Sequence, residues 1–400
     1  DCLIYLITLS FYHFIIFIDM SSYNKNLVFT AACIGMCFFG ISMITLGAVL
    51  PSLTTKLALD NLQATALVTF LPLGLLGGSL LFGPIVDRFG HKALLLLSCL
   101  VVLLGLEGIA FFTSIPLLQV SIIGIGLGGG ILNGETNALV ADISDEAEKG
   151  SRLSLLGAFY GIGALGIPVL LSFLSEYYSF EIILQGTGMV MLIGILFCLG
   201  IRFPAPKQPQ GFPIKEGLGL LKESSLLLLS FILFFQSGIE GVCNNWTTLY
   251  LGQTTSIPEN RALIALTCMV AGLTVARLLL VVLFKKIKQE TVLRTSLITA
   301  VIGFALLTFA PGFARAAIGM ILIGAGLAST FPVILSIIGS RYASLSGTAF
   351  SVALVIALIG QTLLNSLTGI ISQGYSIVVY PYMMIVSLLI MLLLFKRSLK

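Results

Sequence analysis

Proline, glycine and charged residues divide this 400-residue chain into twelve apolar runs of about 20 residues or more, each long enough to cross a hydrocarbon core of about 30 Å at about 1.5 Å per residue. Runs of that length and continuity exclude barrel strands, which alternate and are about half as long. With 58% hydrophobic and only 10% charged residues, the chain also departs from soluble domains, where about 25% are charged. The fold class is therefore an all-α integral membrane protein with twelve transmembrane helices. The expected spans are 27–51, 62–86, 93–113, 116–141, 152–175, 181–202, 225–251, 262–284, 291–311, 314–338, 345–371 and 376–395.

The basic residues fix an orientation, because Lys and Arg accumulate on the cytoplasmic side of short loops. With an inner amino terminus, seventeen of the 21 fall inside, Lys56, Arg261 and Arg315 fall outside, and Arg277 lies within a span. An odd number of spans would scramble that asymmetry. The expected location is a cell membrane, plasma or inner, with both termini cytoplasmic. The net charge of +4 reflects this inner belt and implies no nucleic-acid partner. Six of the seven cysteines fall inside spans without metal-like spacing and read as small packing residues.

Residues 1–26 form a leader whose apolar run, "CLIYLITLSFYHFIIFI", reads as an over-extended start, with a thirteenth helix or a signal anchor as the alternatives. The polar, Pro/Gly-rich segment "FPAPKQPQGFPIKEGLGLLKE" separates spans six and seven. It divides the chain into a first six-helix half (27–203), a cytoplasmic central loop (204–224) and a second half (225–400). A faint repeat at an offset of 200 residues, "IGIGLGGGIL" (123–132) against "IGAGLASTFP" (323–332), matches Gly124 with Gly324 and Gly126 with Gly326. Weak internal symmetry of this kind is what duplicated transporter halves leave behind.

Between spans two and three stands "GPIVDRFGHK", residues 83–92. It resembles the G-x-x-x-D-R-x-G-[RH]-[RK] signature of the major facilitator superfamily at Gly83, Asp87, Arg88, Gly90, His91 and Lys92. The resemblance implies two pseudo-symmetric six-helix halves and a turn whose charges link neighbouring helices as the halves rock. "GIGLGGGILNGETNALV" in span four, "FYGIGALGIP" in span five and "GIEGVCNNWTTLYL" in span seven look like the fucose, glucose and galactose proton-symporter branch. On that pattern the span-four carboxylate is expected where this chain has Asn133, so Glu135 is displaced from it. Span one offers only Ser42 and Thr45 where fucose-type symporters carry an acid.

Charges at membrane depth cost about 2.5–3.5 kcal/mol each on insertion scales, so Glu107, Glu135, Glu240 and Arg277 must be paired, neutral or wet. Gln236, Glu240 and Asn244 recur at i, i+4 spacing, continued by Thr247 and Thr248, which places a polar stripe on one face of span seven. Trp246, the single tryptophan, either stacks on a sugar ring or anchors the helix at the interface. Arg277 and Glu240 differ in depth by roughly 9 Å at 1.5 Å per residue, which two extended side chains can close as an ion pair. Asn133 and Asn137 share one face of span four and Gln361 with Asn365 one face of span eleven. Their amides can donate to and accept from hydroxyls. Glu240 and then Glu135 are the candidate proton carriers, since a carboxyl out of water holds a proton more readily; for Glu135 the alternative is a link to the charged turn. Glu107 is expected to be structural.

These features describe a secondary transporter for a small polar solute, most simply a monosaccharide, working by alternating access with protons as the coupled ion. A proton-driven exporter and a non-transporting membrane sensor on the same fold are the alternatives. Span five reads Gly166-Ile167-Pro168-Val169 where drug antiporters carry G-P-x-x-G-G, which argues against export. An enzyme is not expected: there is no nucleotide-binding loop or metal cluster, and His13 and His91 are the only histidines. No cofactor or metal is implied, and a lipid-embedded monomer is the expected state.

Overall fold

Without water to satisfy them, backbone groups at membrane depth must bond within their own segment, and these apolar runs do so as helices. The computed structural model describes residues 23–59, 61–207, 219–255, 257–309 and 312–398. The expected leader falls mostly outside the described residues, as does most of the central loop. In the first half the helices are α1 (Lys25–Leu57), α2 (Asn61–Phe89), α3 (His91–Phe111), α4 (Ile115–Ile143), α5 (Lys149–Leu174) and α6 (Phe180–Gly200). The second half contains α7 (Ser224–Thr254), α8 (Glu259–Leu283), α9 (Gln289–Thr308), α10 (Phe313–Leu327), α11 (Thr330–Arg341), α12 (Ser346–Tyr375) and α13 (Tyr380–Ser398). Among the described residues these make twelve helices long and apolar enough to cross a membrane, α10 and α11 counting as one interrupted span. Several run past the expected limits by a turn or more, because polar and capped turns continue a helix beyond its apolar stretch. Asn24, for instance, caps α1 by accepting from the amides of Asn26 and Leu27.

Within the first half α1 packs on α5, α2 and α3 on α4, and α3 on α6; the second half repeats this as α7 on α12, α8 and α10, α9 and α10, and α9 on α13. Glycine positions fix the register of the repeat. A Cβ on Gly126 would meet the carbonyl of Leu71 on α2, and one on Gly324 would meet that of Met269 on α8. Gly128 approaches Ser98 as Gly326 approaches Ser296, and Gly105 approaches Ser121 as Gly303 approaches Gly319. Every one of these positions is separated from its counterpart by 198 residues, not the 200 that matching the glycines by sequence suggested. The sequence alignment paired look-alike residues. Backbone approach pairs Gly126 with Gly324, while Gly124 has only the distant Val101 beside it, at 3.8 Å.

The α1–α5 crossing is equally close, since a Cβ on Gly163 would overlap the carbonyl of Cys37. Gly163→Val is therefore expected to cost at least about 1–3 kcal/mol, from forced separation of two backbones. Gly124→Ala should be neutral or slightly stabilising, because helix propensity improves and space is free. Thermal unfolding of the two variants in detergent checks the contrast, and equal effects would refute this account of the crossing.

Candidate functional site

The turn at residues 83–92 sits on the end of the bundle where Lys25, Lys149, Arg341 and Lys396 also emerge, here termed the basic face. Gly90 adopts φ 81°, a left-handed conformation that glycine tolerates, and this reverses the chain between α2 and α3. The turn then joins the two halves. The Asp87 carboxylate accepts from the Gly347 amide at 3.2 Å and from the Thr348 amide and hydroxyl at 2.9 and 2.6 Å. An acid of the first half thus caps the N-terminus of α12 in the second, where free amides and the helix dipole favour an anion. The Arg88 guanidinium lies over the Phe89 ring at 5.1 Å. Lys92 Nζ donates to the carbonyls of Leu199 and Ile201, both at 2.9 Å, closing the end of α6.

His91 solves the question of Glu135. Glu135 is fully buried, and its Oε1 lies 3.2 Å from His91 Nδ1, while His91 Nε2 lies 3.0 Å from Asp142 on the next turns of α4. An imidazolium is the form that donates to both carboxylates at once. Asp142 in turn accepts from Lys207 Nζ at 2.6 Å and from Ser346 at 2.8 Å. Lys207 also reaches Ala343 O and Ser346, both at 2.6 Å, which ties the start of the central loop to the second half. Nearby, Ser340 donates to Glu146 at 2.5 Å and accepts from Lys149 at 2.9 Å. The Lys149 ammonium and the Ser340 hydroxyl hold the Glu146 carboxyl below the usual carboxylate range. Glu135 therefore lies in the network of the charged turn, the alternative the sequence left open, and is absent from the residues that line the cavity described below.

Deeper in the bundle, two further seams repeat this twofold relation to within one residue, with acceptors 198 residues apart and donors 197. Ser351 of α12 donates to the carbonyl of Ser79 on α2 at 2.5 Å, and Ser154 of α5 donates to the carbonyl of Arg277 on α8 at 2.7 Å. These bonds between halves all lie in the part of the bundle near the basic face.

Above them, between the halves, is a cavity of about 220 Å³. Of the expected binding residues, Asn133, Asn137, Asn244 and Gln361 line it, together with Glu240 and Arg277. Asn137 Nδ2 bonds the Asn133 carbonyl at 2.7 Å, which orients both amides on one wall. Tyr160, Ser237 and Gly157 also line the cavity and had no separate signal in the sequence beyond the span-five and span-seven stretches that contain them. Tyr160 stacks against Phe39 with ring centroids 5.2 Å apart. Met43 is shared with a wider space of about 880 Å³ on the side away from the basic face. There Lys56 pairs with Glu181 at 2.7 Å and lies over the Phe180 ring.

Four expectations change. Gln236 does not line the cavity: its Nε2 caps the Leu327 carbonyl at 3.3 Å, where the break between α10 and α11 frees a backbone acceptor. Trp246 packs beside Gly369 on α12 and is absent from the cavity wall. Asn365 lies just outside it, accepting from Asn245 at 2.9 Å, and Thr247 turns inward to Tyr380 at 2.9 Å. Glu240 and Arg277 share the cavity but make no ion pair within 4.0 Å; Arg277 Nη1 donates instead to the Gly157 carbonyl at 3.0 Å. For Gln236 and Asn365 the i, i+4 spacing gave the right face to within about a residue, yet neighbouring helices decided whether a side chain met space or a partner. Glu107 is absent from the cavity wall, with its carboxylate in the notch left by Gly188 on α6.

A family model described as Major Facilitator Superfamily matches residues 32–362. Among curated relatives, the inner membrane transport protein YdiN of Escherichia coli is 27% identical over 189 residues, which cover 46% of this chain and 44% of YdiN. The glucose/mannose transporter GlcP of Bacillus subtilis is 24% identical over 372 residues, covering 85% of this chain and 89% of GlcP. The chain thus spans less than half the length of YdiN, and 29% of each of two Mycobacterium tuberculosis transporters. In three dimensions the E. coli fucose:proton symporter FucP matches with a TM-score of 0.79 at 17% identity, covering 92% of this chain and 98% of that one. The proton:xylose symporter XylE matches with a TM-score of 0.75 at 16% identity, covering 93% and 96%.

Proposed function

From the premise that this chain belongs to the Major Facilitator Superfamily, we propose that it is a secondary transporter carrying a small, hydroxyl-bearing solute of monosaccharide size together with a proton. The observation that carries this reading is the polar cavity between the two halves, where amides of Asn133, Asn137, Asn244 and Gln361 surround a carboxylate and a guanidinium. Amides supply donors and acceptors for hydroxyl groups, and Tyr160 supplies a ring face beside them. The names of GlcP, FucP and XylE, which refer to glucose and mannose, fucose and xylose, support the same substrate class.

Taking the basic face as cytoplasmic, by the positive-inside rule, the bonds of Asp87, Lys149 and Ser346 close the inner side of the cavity. The wider space beyond Met43, lined by α1, α5 and α6, then lies on the outer side, and with the inner side bonded shut the scheme takes this as an outward-facing state. Alternating access requires the inner bonds to break when solute and proton are bound. Glu240 is the proton carrier in this scheme, since it is the carboxylate on the cavity wall.

Sugar uptake into proteoliposomes without an imposed pH gradient tests the scheme. Uptake should acidify the lumen. Glu240→Gln should abolish lumen acidification and pH-driven accumulation while leaving solute exchange between two loaded compartments. Uptake without any pH change in the unsubstituted protein would rule out proton coupling; absence of uptake for every pentose, hexose and sugar acid would rule out the monosaccharide reading.

A further inference from the structure

We infer that the cavity takes a solute bearing a carboxylate, a sugar acid, and that Arg277 binds that carboxylate. This rests on the reading of the cavity as a transport site and narrows its substrate class. Arg277 is 8% exposed, so its guanidinium is largely out of water at membrane depth. A guanidinium has five N–H donors, and the protein engages it through a single bond, Nη1 to the Gly157 carbonyl at 3.0 Å. Its Nε is buried without any hydrogen-bond partner. Among the described residues no carboxylate closes on it within 4.0 Å, although Glu240 lines the same cavity. A charge held this way is costly unless a ligand completes it, and the planar fork of arginine matches a carboxylate by two parallel bonds.

The surroundings are built for the guanidinium and not for a structural pair. A Cβ on Gly157 would come within 3.2 Å of Arg277 Cδ, Nε and Nη1, so the glycine leaves the notch in which the side chain lies flat. The seam at this position does not require arginine. Its twofold counterpart, 198 residues earlier, is Ser79, and at both places it is the backbone carbonyl that accepts the serine hydroxyl from the other half. The guanidinium is thus an addition to one half alone, directed at the cavity. Charge counting agrees. Among the described residues Glu240 and Arg277 are the only charged ones on the cavity wall, so one carboxylate entering with one proton on Glu240 leaves the occupied site neutral. Proton and organic anion would then move together without net charge.

The test compares D-glucuronate with D-glucose, which share a ring and differ in a carboxylate at C6, by calorimetric titration of the full-length protein in detergent. D-Glucuronate should bind at least about tenfold more tightly, a difference of about 1.4 kcal/mol. Arg277→Gln should bring the two affinities together, and Arg277→Lys, which keeps the charge but loses the fork, should fall between. Equal or tighter binding of D-glucose by the unsubstituted protein, which needs no variant to fold, overturns the carboxylate inference and leaves the carrier reading standing. Binding of neither sugar by monodisperse protein overturns both. A preference that survives Arg277→Gln places the anion elsewhere and also overturns the inference.

Discussion

Replacing His91 with alanine is expected to lower stability by about 3–5 kcal/mol, the cost of leaving a buried charge without its partner. Glu135 has no exposed surface, its Oε2 has no hydrogen-bond partner among the described residues, and the His91 imidazolium is its counter-charge at 3.2 Å. The same substitution strips Asp142 of one partner, but Lys207 and Ser346 continue to hold that carboxylate. Most of the loss should therefore trace to Glu135. The double variant His91→Ala/Glu135→Gln should regain about half or more of it, because a neutral amide tolerates the site far better than an unpaired carboxylate. Thermal unfolding of the three proteins in one detergent measures the cycle. An unchanged unfolding temperature for His91→Ala would show that Glu135 is not ionised beside it, and no recovery in the double variant would place the cost in lost packing instead.

Asp87→Ala acts on conformation more than on stability. It removes an acceptor from two amides and a hydroxyl at the start of α12 and leaves that helix end uncapped where the halves meet at the basic face. Charge-assisted bonds of this kind contribute about 1.5–3 kcal/mol each before compensation by water, which replaces part of them once the gate opens. A net shift of about 2–4 kcal/mol towards the state open at the basic face is expected, roughly 30- to 1,000-fold in population. Spin labels on the basic-face ends of α4 and α11 would report it as a longer mean separation by pulsed electron resonance. Thr348→Ala, which loses one of the three bonds, should give a smaller change in the same direction. A distance distribution identical to that of the unsubstituted protein would remove Asp87 from the gate.

Span number, fold class and the charged turn were legible in the sequence because they follow from bulk constraints: hydrocarbon thickness sets run length, and a tight reversal between helices demands Gly90. The cavity was half legible. Asn133, Asn137, Glu240, Asn244 and Gln361 could be found because a helical face is fixed by 100° per residue, and these are polar where lipid would forbid it. Gln236 follows the same period and still points elsewhere, since its partner is a carbonyl freed at the interruption of span ten; Pro332 marks the break in the sequence, but nothing local says which side chain will cap it. Tyr160 and Gly157 carry no charge at all and gain meaning only from what stands opposite.

By itself the sequence determined which residues could not face lipid and therefore how many helices there are and which of their faces turn inward, because transfer of charge and backbone into hydrocarbon is prohibitive whatever the fold. Tertiary structure decided how those inward groups are shared. It placed His91 between Glu135 and Asp142, gave Asp87 a helix end in the other half, and left Arg277 with Gly157 and no carboxylate partner, because pairing at membrane depth depends on distances of a few ångströms between segments far apart in the chain.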